Sequence, residues 1–392
     1  MKKISLLVLS LFSAASVFAQ NRAIQFETGK FADVLAKAKK ENKPIMMDAY
    51  TTWCGPCKMM DKMVFTNDTV ADFYNANFIA YKADMEKGEG LELAKRYEVR
   101  AYPNFLFLDA EGNVLHRSVG ARPPKLFVEV GKDALNPEKR YAAYQKKYDA
   151  GNRSVEFLMA FATVKEHAAL DNRPEIAAYF ATQKPAELSS RQNWKMMNRF
   201  LSTSSMSAFK NLVDQRAVFA RNYTQDSVDQ LIMRVYEDDL GMALRKNNPA
   251  EIDRLKAELT KLKIKDTDRI VLRVDAEAFR KKGDFTNYAL TTAKLVDTYY
   301  LNEPGALNNY AWAFYEKVDD KKMLAKAESW INKAVKADPN YAYLDTQAAV
   351  LYKLGKKKEA KAAAENAIAT GKKTGEDIAD TEDLLQKINN LK

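Results

Sequence analysis

The pattern of apolar and polar positions changes character near residue 135. Before it, helical and extended segments alternate. In KFADVLAKAKKEN, Phe31, Val34, Leu35 and Ala38 fall on one helical face, and Pro44 stops that helix. IMMDAY (45–50) is a short apolar strand, followed by a helix reaching Phe65. TNDTVADFYNAN then supplies an Asn/Asp start and an apolar face at Val70, Phe73 and Tyr74, and FIAYKAD (78–84) is a second buried strand. A short helix, GLELAKRY, leads to PNFLFLD and VLHRSVG, two strands joined through Ala110, Glu111, Gly112 and Asn113, whose glycine suits a hairpin. Pro123 and Pro124 open a last helix through Val130. Elements in this order predict a central sheet with helices on its faces over residues 20–135.

After Asn136 the strand signals disappear and Ala, Lys, Glu and Tyr recur with a helical period, predicting an all-α region to the end. Ala327, Ile331, Ala334 and Val335 return as Ala360, Ala364, Ala367 and Ile368, each 33 residues later, an offset expected of stacked helical hairpins. NYAYLDTQAAVLYKLGKKKEAKAAAENAI, with Gly355 between its helices and Asp338, Pro339 and Asn340 before it, resembles the tetratricopeptide repeat. The unit before it departs from that pattern, with extra residues between Tyr315 and Ala327 and no glycine in VDDKK. AEAFRKKGDFTNY around Gly283 is a third candidate unit. The division is thus an α-helical region over 136–300 and tetratricopeptide-like hairpins over 301–392. Two readings stay open for these helices: a concave surface for a protein partner, or a plain spacer whose alanine stripes only let helices pack closely.

Composition changes the setting. Lys2 and Lys3 precede an apolar run over 4–18, and Val17, Phe18 and Ala19 end it in the manner of a secretory cleavage site. Residues 1–19 are therefore expected to be a signal peptide, and the mature chain a soluble periplasmic protein. The run is shorter than the ~20 residues of a spanning helix. The formal charge of +10 does not point to nucleic acid, because lysines are interleaved with acids, as in KADMEKGEGLELAKRYE, and no recognition motif accompanies them.

Both cysteines of the chain stand in TTWCGPCKMM (51–60). As a staple they close too small a loop to restrain much unfolded chain. A structural zinc site wants four ligands, and the only histidines, His116 and His167, lie far apart in sequence. Redox chemistry remains. Gly55 and Pro56 sit where a helix begins, and its free amides favour an anion. Cys54 at that terminus is expected to ionise readily, while Cys57, one turn deeper, is expected to be shielded. Met59, Met60 and Met63 at helical spacing are expected in the core. His116, on the proposed hairpin, is expected at the surface, and neither it nor His167 stands visibly near a nucleophile for hydrolase chemistry. No phosphate-binding loop appears.

WCGPCK after a short strand, within 43–120, resembles the thioredoxin fold. The resemblance implies a mixed sheet flanked by helices, and a protein disulfide reductase or isomerase working through Cys54 and Cys57 without a cofactor or metal. It matches Asp48 to the buried aspartate that moves protons for the second cysteine, and Pro103 to the cis-proline facing the pair. Lys82 matches the lysine that accompanies the aspartate. Trp53, Gly55, Pro56 and Tyr102 fall where the substrate segment lies. The phrase ENKPIMMDAYTTWCGPCKMMDKMVFTNDTVADFYNANF resembles the exported domain of membrane thiol:disulfide interchange proteins. That implies disulfide-containing exported proteins as partners and a separate thiol donor, such as a membrane thiol transporter. An oxidase of the same fold, and an envelope scaffold with a passive thioredoxin-like module, are the alternatives.

Overall fold

The computed structural model describes residues 22–391, so the signal peptide expected at 1–19 lies outside the described residues. The chain divides into two compact units, one ending at Lys184 and the other beginning at Pro185. In the first unit five strands form one sheet: Phe26–Glu27 (β1), Ile45–Tyr50 (β2), Ile79–Asp84 (β3), Asn104–Leu108 (β4) and Val114–Val119 (β5). Their order is β1-β3-β2-β4-β5, with β1, β3 and β2 parallel and β4 antiparallel to both β2 and β5. β2 occupies the centre because IMMDAY is apolar toward both faces. The two-residue pleat then sorts the side chains. Met46, Phe105 and Phe107 join Met60, Tyr74 and Phe127 in one core, while Ile45, Met47, Leu106 and Leu108 join Phe31, Val34 and Tyr97 in the other. By the same alternation Asp48 shares the face of Met46, the face covered by the helix that the cysteines begin.

Five helices clothe the sheet: Phe31–Glu41 (α1), Gly55–Met59 (α2), Asp68–Asn77 (α3), Gly90–Arg96 (α4) and Pro124–Leu135 (α5). α1 ends before Pro44, on Asn42, whose φ of 51° is left-handed and whose N–H bonds to the Ala38 carbonyl. α2 runs on as a π-helical stretch, Met60–Val64, closed by the Phe65 N–H on the Met60 carbonyl. α3 starts where Asn67 accepts the Val70 N–H, a cap worth about 1 kcal/mol. α5 extends past Val130 because Gly131 fits against Phe73 and Tyr74; a Cβ there would come within 2.5 Å of the Phe73 ring. The β4–β5 hairpin is held by the Asp109 carboxylate, which accepts the N–H groups of Glu111 and Asn113, with Gly112 at a φ of 82°.

Three further helices belong to the first unit: Tyr141–Asp149 (α6), Val155–His167 (α7) and Arg173–Ala181 (α8). They belong to the region after Asn136 expected to be helical, and α6 and α7 fold back onto the sheet. The physical reason is the open edge of β5, against which α6 and α7 pack. The Tyr141 N–H donates to His116 Nδ1 at 3.1 Å, and the rings of Tyr144, Phe157 and Phe161 stack beneath. His116 is consequently buried, not at the surface as the hairpin alone predicted, and burial, with the His167 charge, pushes its pKa down to about 4. That keeps the ring neutral and its Nδ1 an acceptor.

The second unit is helical throughout its described residues. Thr267–Lys282 packs with Phe285–Tyr299, Pro304–Lys317 with Lys321–Ala337, and Tyr341–Lys353 with Lys357–Thr374. Ala327, Ile331 and Ala334, and their counterparts Ala360, Ala364 and Ala367, are all buried on the second helix of a pair. Gly283 and Gly355 make left-handed turns between helices, with φ of 73° and 77°. The middle pair lacks that glycine and instead starts its second helix on Asp320, which accepts the Met323 N–H at 2.8 Å. Among the described residues no helix is long and apolar enough to cross a membrane.

Candidate active site

Cys54 is the N-cap of α2, and its sulfur accepts the Cys57 N–H at 3.1 Å. Its carbonyl accepts the Lys58 N–H at 3.2 Å. Pro56, in the first turn, costs no hydrogen bond there. The two sulfurs are bonded to each other, and the Cα atoms are 5.3 Å apart. Cys54 and Cys57 are 3% and 2% exposed, so the expected difference in shielding is not present while the bond is closed, each sulfur covering the other. Among the described residues no group of three or more His, Cys, Asp or Glu side chains is arranged to hold a metal.

Around the disulfide the surface is apolar. Trp53 is 65% exposed, its Nε1–H donates to the Glu86 carboxylate at 2.9 Å, and its ring meets Tyr102 edge-on at 5.9 Å. The Tyr102–Pro103 bond is cis, and the Pro103 carbonyl accepts the Gly120 N–H at 2.8 Å, tying the loop to the end of β5. Of the three methionines expected in the core only Met60 is buried; Met59 and Met63 are 43% and 67% exposed. Met59 and Met63 stand four residues apart, both open to solvent. The expectation of a core position therefore holds for Met60 and fails for Met59 and Met63.

Asp48 lies beneath this surface, 1% exposed on β2 and directly opposite Lys82 on β3. The Lys82 ammonium is 3.8 Å from Asp48 Oδ2, over the Tyr50 ring at 4.7 Å, and bonded more closely to Asp61. Oδ1 of Asp48 is buried without a hydrogen-bond partner. Burial pushes the Asp48 pKa up to about 7; Lys82 pulls it down and Asp61 adds to the rise. Burial wins because the cation is shared with a second carboxylate and sits beyond hydrogen-bonding distance from the first. A half-satisfied buried carboxyl titrating near neutrality is costly for stability alone and suited to moving a proton.

Sequence reasoning missed two members of this cluster. Asp61 was legible in principle, since it follows Cys57 by one helical turn and so points toward the same side. Glu86, which holds Trp53, carries no sequence signal; it lies in the KADMEKGEG segment, where the polypeptide leaves β3.

A five-stranded mixed sheet, a cysteine pair at a helix start and a cis-proline just before β4 define a class, and comparison with known proteins agrees. A model of the thioredoxin-like domain matches residues 31–135. Thioredoxin-1 of Drosophila melanogaster is 43% identical over 68 residues, 17% of this chain and 59% of that one. Thioredoxin Asp f 29 of Aspergillus fumigatus is 37% identical over 90 residues, 23% of this chain and 77% of that one. The thiol:disulfide interchange protein DsbD of Yersinia pestis is 38% identical over 82 residues, 20% of this chain but 13% of that one. The solution structure of a putative disulphide-isomerase from Bacteroides thetaiotaomicron shares 43% identity, covering 30% of this chain and 98% of that one with a TM-score of 0.29. The match thus spans less than two thirds of the fly protein and a small part of the interchange protein. The chain belongs to the thioredoxin-like family of thiol:disulfide oxidoreductases, with a long helical region following the matched domain.

Proposed function

We propose that this protein is exported, and that it reduces or isomerises disulfides in other exported proteins. The supporting observation is the Cys54 sulfur at a helix start, accepting an amide hydrogen from Cys57, the residue that closes the ring with it. In the reduced protein such an amide and the helix end favour the thiolate of Cys54. That thiolate attacks one sulfur of a client disulfide; the Cys54–client bond forms, the client bond breaks, and the departing client sulfur takes a proton. Cys57 then passes its proton to Asp48 and attacks Cys54. The intramolecular disulfide forms, the client's second thiolate leaves, and two electrons have moved from the protein to the client. A separate thiol donor must restore the dithiol, since the chain holds only these two cysteines. Trp53, Met59, Met63 and Tyr102 form the apolar surface on which an extended client segment rests against the Pro103 loop. The helical unit contains a cavity of about 550 Å³ lined in part by Tyr288, Tyr310 and Arg273, the place where a partner segment would lie.

The test is a Cys57→Ser variant expressed from the full gene, with the cell envelope probed for mixed disulfides on Cys54. Adducts that vanish in Cys54→Ser support the reading, and their absence contradicts it. The direction follows from the reduction potential: close to about −270 mV for a reductase, close to about −120 mV for an oxidase.

A further inference from the structure

Residues 136–184 lie beyond the family match, yet they complete a cavity of about 300 Å³ beside the cis-proline loop. Ala101 and Asn104, which bracket Tyr102 and Pro103, form one wall; Arg117 of β5, Tyr141 of α6 and Lys165 of α7 form the others. The charged groups at this cavity are matched in pairs, with one exception. Glu98 meets Arg100 at 3.6 Å, and Lys165 meets the buried Glu175 at 2.8 Å. Asp171 meets Arg173 at 2.7 Å. Arg117 is only 7% exposed, donates one hydrogen bond from Nη2 to the Tyr97 carbonyl, and has no carboxylate within ion-pair distance among the described residues. A guanidinium offers five N–H donors, and a buried charge without a counter-ion is costly. In the same wall Asn104 is buried, and its Oδ1 has no hydrogen-bond partner.

We propose that this cavity is a carboxylate subsite, which pairs Arg117 with an acidic side chain or a C-terminal carboxylate of the polypeptide segment presented to Cys54. The occupant rests on the exchange function proposed above; the carboxylate chemistry does not. Counting Glu98, Asp171 and Glu175 against Arg100, Arg117, Lys165 and Arg173 leaves one net positive charge, which matches a carboxylate better than a doubly charged phosphate. The planar fork of arginine fits its two oxygens. A peptide bringing that carboxylate also brings an amide, for which Asn104 and the Tyr141 hydroxyl are polar neighbours. Because Ala101 and Asn104 flank the cis-proline, a segment lying along that loop passes the cavity. Clients carrying an acidic group near the reacting cystine are then preferred, and the specificity comes from helices that the matched domain lacks.

The test uses the oxidised full chain, isotope-labelled, and follows amide shifts on titration with three probes. Acetylglutamate amide represents a side-chain carboxylate, acetylglycine a terminal one, and acetylglutamine amide is the uncharged control. The expected result is saturable shifts at the amides of residues 100–102, 104 and 117 with at least one carboxylate, the tighter of the two identifying the source, and little with the control. Arg117→Gln should weaken binding about tenfold or more, and Arg117→Lys less, since it keeps the charge but loses the fork. The proposal is overturned if the wild-type protein shows no saturable carboxylate binding, if the glutamine control binds equally well, or if folded Arg117→Gln binds as tightly. The wild-type titration decides the matter even where Arg117→Gln does not fold. No thiol exchange takes place in this assay, so its failure and a failure of the exchange function are separate results.

Discussion

Replacing Asp48 with asparagine removes one ionisable group from the centre of the sheet and keeps the shape. The Asp48 carboxyl ordinarily titrates at 3.8 and here at about 7, so the native state holds a proton that the unfolded chain has lost between those values. Stability is therefore fully retained below pH 4 and falls as the pH rises toward 7. At about 1.4 kcal/mol per pKa unit, the three-unit rise corresponds to about 4 kcal/mol of destabilisation above pH 7. Asp48→Asn abolishes this pH dependence. Relative to the wild type, the variant should gain about 3 kcal/mol on going from pH 4.5 to pH 8, whatever constant offset follows from losing the contact with Lys82. Hydrogen exchange of the amides in 45–50 and 79–84, corrected for intrinsic rates, reads the stability of this sheet independently of the helical unit. An unchanged difference between variant and wild type at the two pH values, or a change of opposite sign, would refute the burial argument. The same variant should slow release of client from the Cys54 adduct by about tenfold or more, because Cys57 loses its proton acceptor.

Lys82→Met withdraws the cation that pulls the Asp48 pKa down, so the pH profile of client release should move to higher pH, read by single-turnover kinetics with a fluorescent disulfide peptide. Trp53→Ala should raise KM for protein clients by about tenfold while leaving reduction of a small aromatic disulfide nearly unchanged, since the ring is an exposed contact rather than part of the exchange. Gly90→Ala should destabilise the first unit by about 2–4 kcal/mol in the same exchange experiment, because its Cβ would lie 1.9 Å from the Asp84 carbonyl oxygen and the backbone must shift.

Much of the thioredoxin-like fold was legible because its signals are local. The strands are short apolar runs bounded by turn residues, and WCGPCK fixes the helix that follows β2. Asp48 stood out as the single charge in IMMDAY, and the structure buries it. What escaped depends on which side of an element is covered. Met59 and Met63 follow the same apolar spacing as a core face, yet no element packs over them, so periodicity alone assigned them inward. His116 was assigned outward because the hairpin edge looks open, but α6, outside the motif, closes over it. Arg117 was silent for the same reason: an arginine in a polar strand reads as solvated until a helix from further along the chain buries it. The helical repeats were visible as a 33-residue recurrence of small apolar residues. Of its eight positions, Ala327, Ile331, Ala334, Ala360, Ala364 and Ala367 are buried, while Val335 and Ile368 are half-buried.

The exchange proposed for this protein needs Cys54 held as a thiolate at the start of its helix once the disulfide is reduced. The thiolate absorbance of the reduced Cys57→Ser variant, followed from pH 4 to pH 10 together with its alkylation rate, measures that directly. The Cys54 pKa should lie well below the free value of about 8.5; a value at or above it would leave the attacking thiolate without its helix-end stabilisation.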